Sequence, residues 1–218
     1  MAQREISQAD DATLYEFGSI LDMVERLGEL PRSRSGGTED WVSKHGSVTA
    51  LTTALHLTYA ETCAFVILLV RLTGENGSTI TAAPAAHHRP DGGAADTTAS
   101  AQVDLSKARR GPRRYMTATL SDVPTWAALP EEAGPISGHD ELHTPFGVYM
   151  LALELGASSR RILGSDRLLT YWIPKGGQGA PAGRNIRESR GRTFRDRLPQ
   201  SAVGAWGASL MALAEIPQ

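Results

Sequence analysis

Between residues 103 and 115 the chain places Lys107, Arg109, Arg110, Arg113 and Arg114 against a single acid, Asp104. Between residues 184 and 197 it places Arg184, Arg187, Arg190, Arg192, Arg195 and Arg197 against Glu188 and Asp196. Clustered cations of this kind can hold phosphate. Arginine is permanently charged, and its planar fork matches two phosphate oxygens at once. Within the two clusters only Tyr115 and Phe194 could stack on a base, so contact with the phosphate backbone is favoured over base readout. The bland reading is a solvated turn, which is what most charge runs are.

Other residue groups are weaker. His139-Asp140-Glu141-Leu142-His143 spaces two imidazoles four residues apart, as in a zinc-binding helix. Gly138 precedes it and Pro145 follows closely, with no long amphipathic helix around it, so a polar loop is expected and no metal site is assigned. A zinc hydrolase using His139 and His143 is the least favoured function. His87-His88 is weaker still. The single cysteine, Cys63, reads as a small buried hydrophobe and allows no intrachain disulfide. The stretch GGQGAPAG (176–183) has no Lys-Ser/Thr after it and is no nucleotide loop. No cofactor is expected.

The elements that must position these groups are mostly helical. Leu14, Phe17, Leu21, Val24 and Leu27 recur at helical spacing across 11–30, with Gly28 and Pro31 as the stop. Residues 32–40 read as a linker, and 47–56 as the start of a second helical region. The clearest helix runs from about 59 to 73. Thr58 and Glu61 form a capping box before it, Gly74 a left-handed cap after it, and the apolar run 63–70 predicts a helix at the centre of the core. A short helical turn at 78–82 ends at Pro84, and 85–100 reads as an exposed loop.

Extended runs at 101–105 and 115–120 flank the basic turn Lys107–Arg114 and predict a small β-hairpin. Helices are expected at 145–156 and 199–214, with an extended stretch at 168–173. The fold class is therefore mainly α with a small β-hairpin (α+β). Two parts are expected: an acidic helical appendage and linker over 1–46, and a core over 47–218.

Length and composition exclude several classes. A chain of 218 residues with 41% hydrophobic and 21% charged residues is long enough to bury a core without staples. The polar, acidic start has no apolar segment behind a basic one, and the run 63–70 is far shorter than the roughly 20 residues of a membrane span. A cytoplasmic protein with no membrane partner is expected. The formal net charge of −2 hides an asymmetry, since residues 1–42 carry nine acids against four arginines. An acidic helix there could dock on the chain's own basic surface or on a protein partner.

The order of parts resembles the catalytic core of the tyrosine-recombinase (phage-integrase) family. In that family a buried helix ends in T-G-L-R-x-S-E-[LI], whose arginine grips the scissile phosphate. Here the stretch is Thr73-Gly74-Glu75-Asn76-Gly77-Ser78-Thr79-Ile80, with Asn76 in place of the arginine. The family's hairpin carries a lysine acting as general acid, and the resemblance transfers that position to Lys107. The family's H-x-L-R-H-T-F element is most similar to Arg187-Glu188-Ser189-Arg190-Gly191-Arg192-Thr193-Phe194, which would make Arg190 the second phosphate-binding arginine. On that alignment Ala208 replaces a histidine and the nucleophilic tyrosine falls near Pro217. A second alignment ends the chain before those elements, as a truncated core.

On either alignment the five tyrosines, Tyr15, Tyr59, Tyr115, Tyr149 and Tyr171, all lie far from the C-terminus. The resemblance thus implies an integrase-like core of mobile-element type, active in DNA integration and recombination, that binds DNA through Lys107, Arg109, Arg110, Arg113, Arg114, Arg187, Arg190 and Arg192. It also implies that the chain does not cleave DNA alone. The alternative from another class is a protein-interaction module working through the acidic N-terminal helix.

Overall fold

The computed structural model describes residues 17–27, 39–90, 92, 99–122, 143–174 and 192–213. Of Leu27, Val48, Ala108, Arg109, Arg113, Pro174, Arg192, Thr193 and Leu213 it describes the backbone alone. Eight helices are described: α1 (Phe17–Leu27), α2 (Asp40–Ser43), α3 (Val48–Thr53), α4 (Tyr59–Thr73), α5 (Gly77–Thr81), α6 (Pro145–Leu155), α7 (Ala157–Leu163) and α8 (Gln200–Leu213). They accompany two antiparallel hairpins: β1 (Ser100–Ser106) with β2 (Tyr115–Ser121), and β3 (Tyr171–Pro174) with β4 (Arg192–Arg195). The architecture is α+β with small sheets. Among the described residues no helix is long and apolar enough to cross a membrane.

Helix α4 begins at the capping box read from sequence. The Thr58 hydroxyl accepts from Glu61 N at 3.2 Å, and the Glu61 carboxylate accepts from Thr58 N at 2.7 Å. It ends at Gly74 with φ 70°, where a left-handed cap takes a residue without a Cβ. Thr62, Cys63, Phe65, Val66 and Leu69 are buried in the main core with Val103, Leu105, Val148, Tyr149 and Leu168. The helix is less enclosed than its composition predicts. Ile67 and Leu68 are 39% and 46% exposed, because the partners α5, α6, α8 and β3 leave that side open.

A second, smaller core joins Ile20, Met23, Val24, Val42 and Leu51, with Trp41 and Leu55 against it. It ties α1 to α2 and α3, so apolar packing runs across residues 46 and 47. Helix α1 also meets α7: Ser158 Oγ and Arg161 Nη2 donate to the Glu25 carbonyl at 3.2 and 3.0 Å, and Arg161 lies 3.7 Å from the Glu25 carboxylate.

Three features depart from the sequence reading. Helix α7 follows α6 directly through Gly156, where the sequence predicts only a helix end. Residues 192–195 form a strand, since Tyr171, Trp172 and Ile173 supply a ladder for them and β3 also packs on α3 and α4. His88, at the start of the expected loop, pairs with Gln102 through two backbone hydrogen bonds of 2.8 and 2.9 Å.

Two buried phenols anchor the core. Tyr149 Oη lies 3.1 Å from the carbonyls of both Pro84 and Ala85, and Tyr171 Oη donates to the Arg197 carbonyl at 3.1 Å. Burial pushes both hydroxyls up to about 12; nearby Arg160 and Arg195 respectively work against the shift. In the unfolded chain the same groups ionise near about 10. Their contribution to stability is therefore complete below pH ~10 and is lost as pH rises through about 12. Urea midpoints should fall over that window, and the fall should be smaller in Tyr149→Phe. A flat profile would refute the assignment.

Candidate nucleic-acid interface

The first basic cluster sits on the β1–β2 hairpin, whose register runs from Ser100 opposite Ser121 to Ser106 opposite Tyr115. Alternation decides which side faces the core. Ala101, Val103 and Leu105 are buried while Asp104 points outward, where it accepts from Thr117 Oγ1 at 2.7 Å. The hairpin rests on α5 through β1 and on α6 through β2. A 3-10 turn over Ala108–Arg113 connects the strands. Lys107 N donates to the Arg114 carbonyl at 2.7 Å, and Arg110 N to the Lys107 carbonyl at 2.9 Å. Gly111 takes φ 55° in the middle of the turn, a conformation that favours glycine. Hydrogen bonds and one glycine thus hold the backbone bearing the cations.

The cations do not share one environment. Arg110 and Arg114 are exposed. The Arg114 guanidinium lies 4.7 Å from the Tyr115 ring centroid and donates from Nη2 to the Tyr115 hydroxyl at 2.6 Å. Tyr115 itself is 67% exposed. Lys107, in contrast, has a side chain only 13% exposed, and its Nζ lies 2.6 Å from the carboxylate of Glu75, also 13% exposed. For Arg109 and Arg113 the backbone places both in the turn.

Glu75 reaches Lys107 because both ends of its short loop are fixed. Gly74 turns the chain out of α4, Glu75 N donates to Thr73 Oγ1 at 3.2 Å, and Asn76 caps α5. The Asn76 side-chain oxygen accepts from Thr79 N at 3.0 Å, Thr79 Oγ1 at 2.8 Å and Ser78 Oγ at 2.7 Å. Asparagine is a preferred N-cap for this reason: its oxygen satisfies an amide that the first turn leaves open. At the position where the resemblance expects a phosphate-gripping arginine, the side chain is committed to its own helix.

Of the second cluster, Arg187 and Arg190 lie outside the described residues. Arg192 opens β4, with its backbone opposite Pro174. Phe194 packs edge-on against His56 with centroids 4.9 Å apart, so of the two aromatics in the clusters only Tyr115 offers an open face. Strand β4 contacts α7, whereas the first hairpin rests on α5 and α6. The histidine pair is only half described: His139 lies outside, and exposed His143 directly precedes Thr144, the N-cap of α6. Among the described residues no group of three His, Cys, Asp or Glu could hold a metal.

The pairing of Glu75 with Lys107 was not legible in the sequence. They stand 32 positions apart, and the acid lies in a stretch whose informative feature was the missing arginine. The cap at Asn76 did leave a signal, since asparagine just ahead of an expected helical turn is a preferred N-cap residue.

The chain matches no family model, no curated protein and no solved structure.

Proposed function

We propose that this chain is an integrase-like DNA-binding protein, related to DNA integration and recombination in mobile elements. It holds the phosphate backbone through the β1–β2 hairpin and does not cut DNA by itself. The observation that carries this reading is the pair of exposed arginines, Arg110 and Arg114, on a hydrogen-bonded turn that projects from the core. A turn of this kind meets DNA with little ordering cost, because its backbone is already fixed. Backbone contacts of this kind position a protein on a duplex without reading sequence.

Two observations support the second half of the proposal. Asn76 presents a neutral amide already engaged in capping, and transition-state charge on a phosphate would find no cation there. Tyr149 and Tyr171, with their hydroxyls buried, bonded to carbonyls and pushed up to about 12, are poor nucleophiles. The reading also places the protein in the cytoplasm, where DNA of a mobile element is met.

The test is binding of a labelled duplex from about 50 to about 200 mM salt, read by fluorescence anisotropy. Affinity should fall linearly on logarithmic axes, with a slope of about −0.9 for each phosphate engaged. Negligible binding at the lowest salt would end this reading. The interaction-module alternative draws less support, because Glu25 of the acidic helix α1 is already engaged by Ser158 and Arg161 of the same chain.

A further inference from the structure

We propose that Glu75 is an internal substitute for a DNA phosphate on Lys107, so that the free protein holds one of its phosphate ligands in reserve. The inference rests on the DNA-binding reading above and names how that site is restrained. A carboxylate and a phosphate both offer anionic oxygens to an ammonium group at N···O distances near 2.7–2.9 Å. Glu75 and Lys107 stand at 2.6 Å, with each side chain only 13% exposed. The pair is therefore better shielded from water and salt than a surface pair would be.

Position makes the pair more than a chance contact. Lys107 stands at the mouth of the turn that carries Arg110 and Arg114, and its own amide closes that turn onto Arg114. Four arginines follow within seven residues of it. A phosphate reaching Lys107 must displace the carboxylate, and it also meets the repulsion of that carboxylate on the way in. Both effects lower affinity, and both vanish when the acid is neutralised. Glutamine at 75 keeps the length of the side chain and its hydrogen-bonding oxygen while removing the charge.

The experiment measures duplex DNA binding by the full chain at several salt concentrations for wild type, Glu75→Gln, Lys107→Gln and the double variant. Glu75→Gln should bind about tenfold more tightly at about 100 mM salt, with a slope steeper by about one phosphate. In the Lys107→Gln background the same change should give little or no gain, because no ammonium remains to be freed. Thermal unfolding monitors the fold. If Glu75→Gln is unfolded, Glu75→Asp keeps the charge but withdraws it by one methylene, and a partial gain in affinity is expected.

The outcomes separate the two proposals. Wild-type binding with no gain, or a loss, in folded Glu75→Gln makes the pair a structural tie between α4 and the hairpin; the inference fails and the DNA-binding reading stands. An equal gain with and without Lys107 reduces the effect to general charge and also overturns the inference. Absence of binding in wild type at the lowest salt overturns both.

Discussion

Replacing Arg110 and Arg114 together by alanine is expected to lower duplex DNA affinity by about 100-fold at about 100 mM salt and to flatten the salt slope by about two phosphates. The magnitude follows from charge-assisted contacts, each worth about tenfold when both charges are lost from a backbone clamp. Both side chains are exposed, so their removal leaves the apolar face of the hairpin, Ala101, Val103 and Leu105, in place. The turn itself is closed by backbone hydrogen bonds between Lys107, Arg110, Gly111 and Arg114, none of which uses a guanidinium. Arg114 loses a contact with Tyr115, and that contact lies at the surface.

Arg26→Ala supplies the control. That arginine is exposed and pairs with Asp22 at 2.6 Å one turn earlier on α1. It removes one positive charge from a different surface and should change affinity by less than about twofold, the level expected from net charge alone. Should the double variant bind within twofold of wild type while the control behaves identically, the hairpin is not the DNA-binding element. A loss confined to one of the two arginines would narrow the contact to that residue.

Gly156→Ala is expected to destabilise the fold by about 3 kcal/mol, combining overpacking with loss of charged hydrogen bonds. Gly156 is shared by α6 and α7, with φ −84° and ψ −7°, so its backbone conformation is open to any residue. The restriction is one of space. A Cβ there would stand 2.5 Å from Arg160 Nη1, 2.9 Å from the Ala152 carbonyl and 3.2 Å from the Leu168 carbonyl. Two of the three neighbours are backbone, and the third is held. Arg160 donates from Nη1 to the Leu168 carbonyl at 2.9 Å and from Nη2 to the Leu153 carbonyl.

A methyl group would push the guanidinium off those carbonyls and leave polar groups without partners in a partly buried site. Burial already lowers the Arg160 pKa, the direction expected of a cation withdrawn from water. The Gly156 carbonyl is itself an acceptor for Ser159 Oγ at 3.1 Å, and Ser159 shares a 2.6 Å hydrogen bond with buried Thr170. Displacement therefore spreads to the start of β3. Urea denaturation of Gly156→Ala, Arg160→Ala and the double variant checks the mechanism. The double variant should cost clearly less than the two single costs added, since deleting the arginine makes room for the methyl group. A Gly156→Ala midpoint equal to wild type would show that the two helices can shift apart freely.

Much of the local structure was legible in the sequence because its causes are local. The Thr58–Glu61 box, Gly74 as a left-handed cap and the alternation of 101–105 each depend on residues within one turn or one strand, and each appears where periodicity and capping put it. The basic hairpin was legible for the same reason. Helix α7 was less so, because Gly156 reads as a terminator, and only the space held by Arg160 and the Leu168 carbonyl explains a glycine between two helices. Strand β4 was hidden among arginines, whose side chains say little about a ladder that Tyr171–Pro174 must supply from 24 positions away at its outer pair, Tyr171 and Arg195.

By itself the sequence determined which groups are available: a cluster of cations on a short hairpin, an asparagine where the resembled family has an arginine, and tyrosines far from the C-terminus. Tertiary structure alone decided how those groups are used. It set Glu75 against Lys107, turned Asn76 inward as the cap of α5, buried Tyr149 and Tyr171, and left Arg110 and Arg114 exposed. The physical reason is that charge and hydrogen-bonding capacity belong to a residue, whereas exposure and pairing belong to the path of the chain. Two equally basic positions three or seven residues apart can therefore differ completely in what they are free to bind.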